Sequence, residues 1–254
     1  MKLATYKDGS RDGQLLVVSR DLGSAHYAAG IATRLQQLLD DWNFIAPQLQ
    51  DLYERLSAGK ARHAFAFEPA RCTAPLPRAY QWVAGPSMQP CPGDDLRGPA
   101  DADGVGAALG GAVQIAVVTG DLGHECAPEA ALEGVRLLAL AHVAGTPAQR
   151  NSASAFAPLA LTPDEAGAAW REGRLHAELR IGGVRVHEDI APAMPADFGR
   201  LIADLCATRR LRAGSIVGAC VAEVEPAARI EALDGAGASL FGAIEPGVGA
   251  RTLA

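Results

Sequence analysis

Apolar and polar positions along the chain divide it into two parts. In the first part, the alternating segments "KLATYK" and "QLLVVS" flank a turn at "DGSRDG", a pattern that predicts a β-hairpin. Residues 24–43 then repeat apolar side chains with helical spacing, as at Ile31, Leu35 and Trp42, and residues 46–59 do the same. We therefore expect a hairpin followed by two helices.

The second part is richer in strand patterns. Residues 83–111 are rich in Gly and Pro and predict a loop. Strands are predicted at 113–120, 155–163, 178–188 (two strands about Gly182 and Gly183), 214–224 and the segments up to 247, with helices at 128–143 and 194–210. This order predicts an α+β fold with a small N-terminal domain at 1–73 and a larger domain at 74–254.

Composition narrows the class of protein. Apolar residues make up 49% of the 254 and charged residues 20%, without an apolar run of membrane-span length, so we expect a soluble globular protein. The first residues lack an apolar signal core, which predicts a cytoplasmic location. The net charge is −6, and the cluster at Arg209, Arg210 and Arg212 is typical of a helix end, so neither nucleic acid nor a membrane is an expected partner.

Cysteine and lysine positions exclude two kinds of chemistry. The five cysteines are scattered without a C-x-x-C pair, which favours reduced packing residues over a zinc site. The only lysines are Lys2, Lys7 and Lys60. A mechanism that depends on a lysine in the second part is therefore excluded.

Three segments carry a resemblance to a known family. "APLPRAYQW", "VQIAVVTGD" and "LRAGSIVG" are similar to segments of the fumarylacetoacetate hydrolase (FAH) family, in a bacterial branch. The resemblance implies a small N-terminal domain, a catalytic domain with a mixed β-roll, and a homodimer. In that family a divalent cation binds a 1,3-dicarbonyl or acylpyruvate-like substrate. Its ligands are an upstream aspartate, a Glu-x-Glu pair on a strand, and an aspartate after the next helix.

This chain departs from that ligand pattern. Ala112 and Gln114 stand where the resemblance places the Glu-x-Glu pair, and His142 stands at the second aspartate; Asp94 or Asp95 matches the upstream one. The family's catalytic histidine and glutamate are missing from a shortened loop at 85–92. The resemblance therefore implies a lost metal centre, and we expect neither a metal nor another cofactor.

Five residues remain as candidates for chemistry or binding. The resemblance places His142 in the former metal cavity, where its imidazole is a candidate general acid or base. Gln114 would face the same cavity and bind a carbonyl, Arg78 and Tyr80 would bind a carboxylate, and Arg150 fits a family Arg-Asn step. The structural alternatives are a core histidine for His142, a neutral filler for Gln114 and an interdomain contact for Arg78 and Tyr80.

A second cluster, His124, Glu125 and Cys126, combines groups that bind metals or act as nucleophiles. Adjacent residues seldom converge on one atom, and the run precedes Pro128 and Glu129, which suit the first turn of a helix. We interpret it as a solvent-facing turn.

Two classes of function fit these observations. The first is a divergent FAH-family protein that keeps a cavity for a small oxygenated metabolite and performs metal-free acid–base chemistry, such as tautomerisation, cyclisation, dehydration or decarboxylation. The second is an inactive pseudoenzyme that serves as a binding or partner subunit for a paralogous or pathway enzyme. A third hypothesis is a cation site rebuilt from loop acids: Asp94, Asp95, Asp101 and Asp103.

Overall fold

The computed structural model describes residues 1–84, 89–101, 110–144, 153–225 and 228–245. The strands are β1 Lys2–Tyr6, β2 Gln14–Val18, β3 Ser24–Tyr27, β4 Phe65–Ala66, β5 Gln81–Ala84, β6 Gln89–Cys91, β7 Leu96–Arg97, β8 Gly111–Thr119, β9 Val135–Ala144, β10 Ala153–Leu161, β11 Trp170–Arg171, β12 Arg174–Leu175, β13 Glu178–Ile181, β14 Val184–His187, β15 Ser215–Val224, β16 Ile230–Leu233 and β17 Ser239–Ile244. The α-helices are α1 Leu35–Asp40, α2 Trp42–Ser57, α3 Pro128–Glu133 and α4 Phe198–Cys206. Among the described residues, no helix is long and apolar enough to cross a membrane.

One large sheet runs through both parts of the chain. Its strand order is β4-β3-β2-β1-β10-β9-β8-β15-β5-β6, and β7 pairs beside β10. The N-terminal hairpin joins this sheet through β1, where Lys2 pairs with Leu161. Strands β14-β13-β16-β17 form a second, four-stranded sheet, which is not hydrogen-bonded to the large one. The α+β fold expected from the sequence is confirmed, and the domain boundary at residue 73 stays a prediction.

The large sheet is buried on both faces. The helix face, defined by Trp82, Ala116 and Ala141, packs in one apolar cluster with α1 and α2. The roll face, defined by Val113, Leu140 and Val217, packs in a second cluster with α4 and the four-stranded sheet. Central strands therefore carry near-continuous apolar runs, as expected when both faces are covered.

The region 24–43 differs from its prediction. Residues 24–27 form strand β3, which pairs with β2, and the helix begins only at Leu35. His26, expected on a helix, lies on this strand opposite Val17. The apolar residues whose spacing predicted a longer helix are Ile31 and residues of α1 and α2. Ile31 lies before α1, but it packs against the same helix-face cluster as the two helices.

The region 128–143 also differs. The predicted helix ends at Glu133, and Val135–Ala144 form β9, which pairs with β8 on one side and β10 on the other. A short apolar run such as "VRLLALAHVA" has the same composition in a buried helix and in a strand buried on both faces, so periodicity alone cannot separate the two. The segment forms a strand because β8 and β10 pair with it on its two sides.

Candidate functional site

Ala112 and Gln114, the positions that the resemblance gives to the Glu-x-Glu pair, lie near the start of β8. Ala112 pairs directly with Val143, and Gln114 pairs with Ala141. Directly paired residues of neighbouring strands share a face, and alternate residues of one strand do too. Because Ala141 and Val143 belong to the helix-face cluster, Ala112 and Gln114 also lie on the helix face.

His142 lies on the opposite face. It pairs with Val113 on β8 and with Ala155 on β10, and both pack in the roll-face cluster. A methyl group placed on Gly111, two residues before Val113, would stand 2.8 Å from the His142 Nε2 atom, which puts the imidazole on the same side. The prediction that His142 and Gln114 face one cavity is therefore wrong, because successive residues of β9 point to opposite sides of the sheet.

These positions do not fit a divalent metal ion. The side chain opposite Ala112 is Val143, not His142. Among Ala112, Gln114 and Val143, only Gln114 has a polar side chain. A hard cation such as magnesium needs several oxygen ligands, usually with at least one carboxylate. Among the described residues, no three His, Cys, Asp or Glu side chains gather closely enough to hold a metal ion.

Gln114 lies in a filled, neutral environment. It is 1% exposed, and it pairs directly with Cys220 on the neighbouring strand β15. Gly218 lies beside it, and the Trp82 ring fills the space that a side chain at Gly218 would take, 2.7 Å from a methyl group placed there. The indole N–H donates to Ser154 Oγ at 2.9 Å. The helix face at this end therefore holds neutral polar groups in close packing.

The His142 imidazole is buried and electrically neutral at neutral pH. Its exposed fraction is 8%, and its Nε2 atom has no hydrogen-bond partner in the described part of the chain. Burial lowers the pKa of His142 to about 4, because the charged form loses its hydration. Arg97 lies on the same face, since it pairs with Ala155, which in turn pairs with His142.

Arg78 and Tyr80 lie at the other end of the sheet. They line a cleft of about 370 Å³ with Asp12 and Arg34. The guanidinium of Arg78 donates from Nε and Nη2 to the two carboxylate oxygens of Asp12, at 2.7 and 2.6 Å. This pair fixes Arg78 against the turn between β1 and β2, and its interpretation as an interdomain contact stays a prediction.

The cleft and Gln114 are separated along the strands. Gln81, just after Tyr80, pairs with Ser215, and Ser215 pairs with Thr119 at the end of β8. Thr119 lies five residues beyond Gln114, a distance of roughly 17 Å along a strand. The structure therefore does not bring Arg78 and Tyr80 together with Gln114.

The remaining candidates are acids of the loop and one arginine. Arg150 and Asp103 lie outside the described residues. Asp94 and Asp95 are exposed, and Asp95 lies 3.5 Å from Arg97. Asp101 pairs with Lys7 and accepts a hydrogen bond from the Gly98 N–H. The described members of this group do not converge on one point.

The cluster at His124, Glu125 and Cys126 forms a turn ahead of α3. His124 and Glu125 are exposed, and Glu125 has a positive φ of 56°. The Cys126 side chain is partly buried and packs in the roll-face cluster. The prediction of a solvent-facing turn is confirmed for its first two residues.

Sequence reasoning missed Val143 and Ser154, the two neighbours that complete the surroundings of Ala112 and Gln114. Val143 went unnoticed because its segment was predicted as a helix. The alternation in "SASAFA" was an available signal for Ser154, since a strand period puts Ser154 and Phe156 on one face.

Comparisons with known proteins agree with this architecture. Residues 1–78 match the family described as Fumarylacetoacetase N-terminal domain 2. A search of curated protein sequences found no match.

Several solved structures share the fold along nearly the whole chain. Maleylpyruvate hydrolase from Sphingobium sp. SYK-6, in complex with manganese(II) ion and pyruvate, is 18% identical, with 96% of this chain and 98% of that chain covered and a TM-score of 0.73. A probable 2-hydroxyhepta-2,4-diene-1,7-dioate isomerase from Mycobacterium abscessus is 20% identical, with 96% and 97% covered and a TM-score of 0.68. Fumarylacetoacetate hydrolase from Exiguobacterium antarcticum is 15% identical, with 96% and 98% covered and a TM-score of 0.65. The family match covers residues 1–78, and the solved structures share the fold of nearly the whole chain.

Proposed function

We propose that this protein is a pseudoenzyme of the FAH family, which serves as a binding or partner subunit and does not hydrolyse C–C bonds through a metal ion. The observation that carries the proposal is the neutral helix face at Ala112, Gln114 and Val143. Metal-dependent cleavage of an acylpyruvate needs a cation to stabilise the enolate that forms. An alanine, an amide and a valine cannot hold that cation.

The packing of this face supports the same proposal. Gln114 and Trp82 are each 1% exposed, and the indole ring occupies the space above Gly218. A catalytic pocket needs room for its substrate beside the reactive groups. The described surroundings of Gln114 and Trp82 instead resemble a protein core that contains a few polar groups.

A manganese titration of the full chain tests the proposal. We expect no site of micromolar affinity by calorimetry, and no pyruvate released from acetylpyruvate with manganese present. One-to-one manganese binding at micromolar affinity that is lost in Gln114→Ala would overturn it.

A restored ligand set sharpens this test. The variant Ala112→Glu/Gln114→Glu/Val143→Asp puts three carboxylates on the helix face, where their repulsion is relieved by a cation. We expect manganese to raise its melting temperature. The matched control replaces Val143→Asp with His142→Asp and should respond less, because that carboxylate points to the roll face. An equal response of both variants would contradict the assignment of faces.

A second candidate function is metal-free acid–base chemistry at His142 on a small oxo acid. The observation that favours it is the buried Nε2 atom without a partner in the described residues, because buried polar atoms are normally paired. A neutral imidazole there can accept a proton from a carbon next to a carbonyl.

Exchange of the C3 protons of a 2-oxo acid in D2O, followed by proton NMR with a chelator present, separates the two candidates. Acid–base chemistry predicts exchange that falls about 10²–10⁴-fold in His142→Ala and not in His124→Ala, with thermal melting run beside both. Absence of exchange in the wild type would favour the binding or partner subunit.

A further inference from the structure

Two connections of the fold run side by side near the roll face. The segment after β8 and the segment after α4 form an isolated β-bridge, with Leu122 N–H donating to the Leu211 carbonyl at 3.0 Å and Leu211 N–H returning to Leu122 at 3.2 Å. Glu125 N–H donates to the Cys206 carbonyl at 2.9 Å. These bonds hold the two segments in a fixed relative position.

Cys126 and Cys206 meet at this junction. Cys126 directly follows Glu125, whose N–H donates a hydrogen bond to the Cys206 carbonyl oxygen, and the Cys126 side chain is close enough to influence the pKa of the Cys206 thiol. Both side chains pack in the same apolar cluster. All five cysteines lie in the described part of the chain as free thiols, and Cys72, Cys91 and Cys220 lie on other elements.

We propose that Cys126 and Cys206 are a peroxide-oxidised thiol pair, which forms a reversible intramolecular disulfide that fastens the β8–α3 connection to the C-terminal end of α4. The hydrogen bond from the Glu125 N–H to the Cys206 carbonyl oxygen brings the two segments together, as closure of the bridge requires. A disulfide requires Cα atoms within about 7 Å and suitably directed Cβ atoms.

The two cysteines have different roles in this reaction. Cys126 is partly exposed, whereas Cys206 is buried at the end of α4. Burial and the neighbouring Cys126 thiol raise the pKa of Cys206 to about 12, so Cys206 stays protonated in the resting protein. Cys126 is therefore the thiol that meets the oxidant first, and Cys206 is the resolving thiol.

The chemistry balances with hydrogen peroxide as the oxidant. The Cys126 sulfur attacks one peroxide oxygen and the O–O bond breaks, which gives a sulfenic acid and, after proton transfer, one water. The Cys206 sulfur then attacks the Cys126 sulfur, the S–O bond breaks and a second water leaves. Two thiols lose two electrons and two protons, and one peroxide is reduced to two waters.

Peptide mapping of the full chain tests the proposal. After peroxide treatment and blocking with N-ethylmaleimide, we expect the free thiols to fall from five to three, with a peptide pair joined through Cys126 and Cys206 that dithiothreitol separates. Cys220→Ser is the matched control and should form the same bridge. Cys126→Ser should lose it, and since Cys126 is partly exposed this variant does not depend on refilling a buried position.

A second measurement reads the structural effect. The bridge closes a loop of about 80 residues, so oxidation should raise the melting temperature of the wild type on the order of 10 °C and leave Cys126→Ser unchanged. Cys126 oxidised to sulfinic acid beside a free Cys206, or a disulfide between two molecules, or no loss of thiols, would each overturn the proposal.

Discussion

Gln114 and His142 lie one position out of register on the neighbouring strands β8 and β9, yet their side chains leave the sheet on opposite faces. Gln114 meets Ala141 on the helix face, and His142 meets Val113 on the roll face. A combined role of the amide and the imidazole on one ligand is therefore ruled out by geometry. Each residue has to be tested by itself.

The buried histidine predicts a pH dependence of stability. The pKa of His142 is about 4 in the folded protein, below its ordinary value of 6.5. Between these values the unfolded chain binds more protons than the folded one, so stability falls as the pH falls from 6.5 to 4 and is fully present above 6.5. The loss across this window is on the order of 3 kcal/mol.

Urea unfolding at pH 7 and at pH 4.5 measures this effect. His142→Leu removes the titrating group and should flatten the dependence, whereas His124→Gln at an exposed position should retain that of the wild type. If the His142→Leu variant loses as much stability on acidification as the wild type, groups other than His142 cause the pH dependence of stability.

Much of the fold was predictable from local patterns. Alternation and turn residues identified the β1–β2 hairpin and the pair β13–β14, whose turn places Gly182 and Gly183 at φ 59° and 81°. Helical spacing identified α2, whose residues Leu49, Leu52 and Leu56 pack in the helix-face cluster. These elements are specified by short stretches of sequence, so no distant partner was needed to recognise them.

The candidate site was less predictable because it depends on strand register. A shift of one residue moves a side chain to the other face of a sheet. With residues 135–143 predicted as helix, nothing in the sequence assigned His142 and Val143 to opposite faces. Only the pairing with Val113 and Ala112 decides which of them lies on the same face as Ala112 and Gln114.

The Arg78 and Asp12 pair should contribute little to stability. Both side chains are well exposed, at 48% and 38%, and exposed ion pairs are typically worth less than about 1 kcal/mol. We expect Arg78→Ala and Asp12→Ala each to change the unfolding free energy by less than about 1 kcal/mol. A double-mutant cycle gives the coupling directly, and a coupling energy of several kcal/mol would contradict this view.

The same pair bears on the prediction that Arg78 binds a carboxylate. Since Asp12 already occupies the two donor groups, a small carboxylate ligand has to compete with it. Asp12→Asn should therefore strengthen the binding of a dicarboxylate probe at the cleft, measured by thermal shift, and Asp12→Asn/Arg78→Ala should remove it. Equal binding by Asp12→Asn and the double variant would exclude this role.

A homodimer remains a prediction from the sequence. The strand β14 lies at the edge of the four-stranded sheet and exposes Val184 and Val186, at 68% and 45%. Exposed apolar edge strands are prone to pair with another chain. Light scattering should give twice the chain mass of 26.3 kDa, and Val184→Lys/Val186→Lys should shift the mass toward the monomer. A wild-type monomer at micromolar concentration would rule out the dimer.

The contact between Gly218 and Trp82 predicts that even one methyl group is too large for the helix face beside Gln114. In Gly218→Ala, the new methyl group would stand 2.7 Å from the indole ring and 3.3 Å from Gln114 Oε1. The ring cannot withdraw freely, because its N–H donates a hydrogen bond to Ser154. Overpacking of a filled core typically costs about 1–3 kcal/mol, and we expect urea unfolding to show a loss of that size in the free energy of unfolding.

Gly235→Ala is the control for this prediction. A methyl group there meets nothing within 4 Å, so its free energy of unfolding should stay within about 0.5 kcal/mol of the wild type. If Gly218→Ala were as stable as this control, the face would hold free space, and a substrate-sized cavity there would again be tenable.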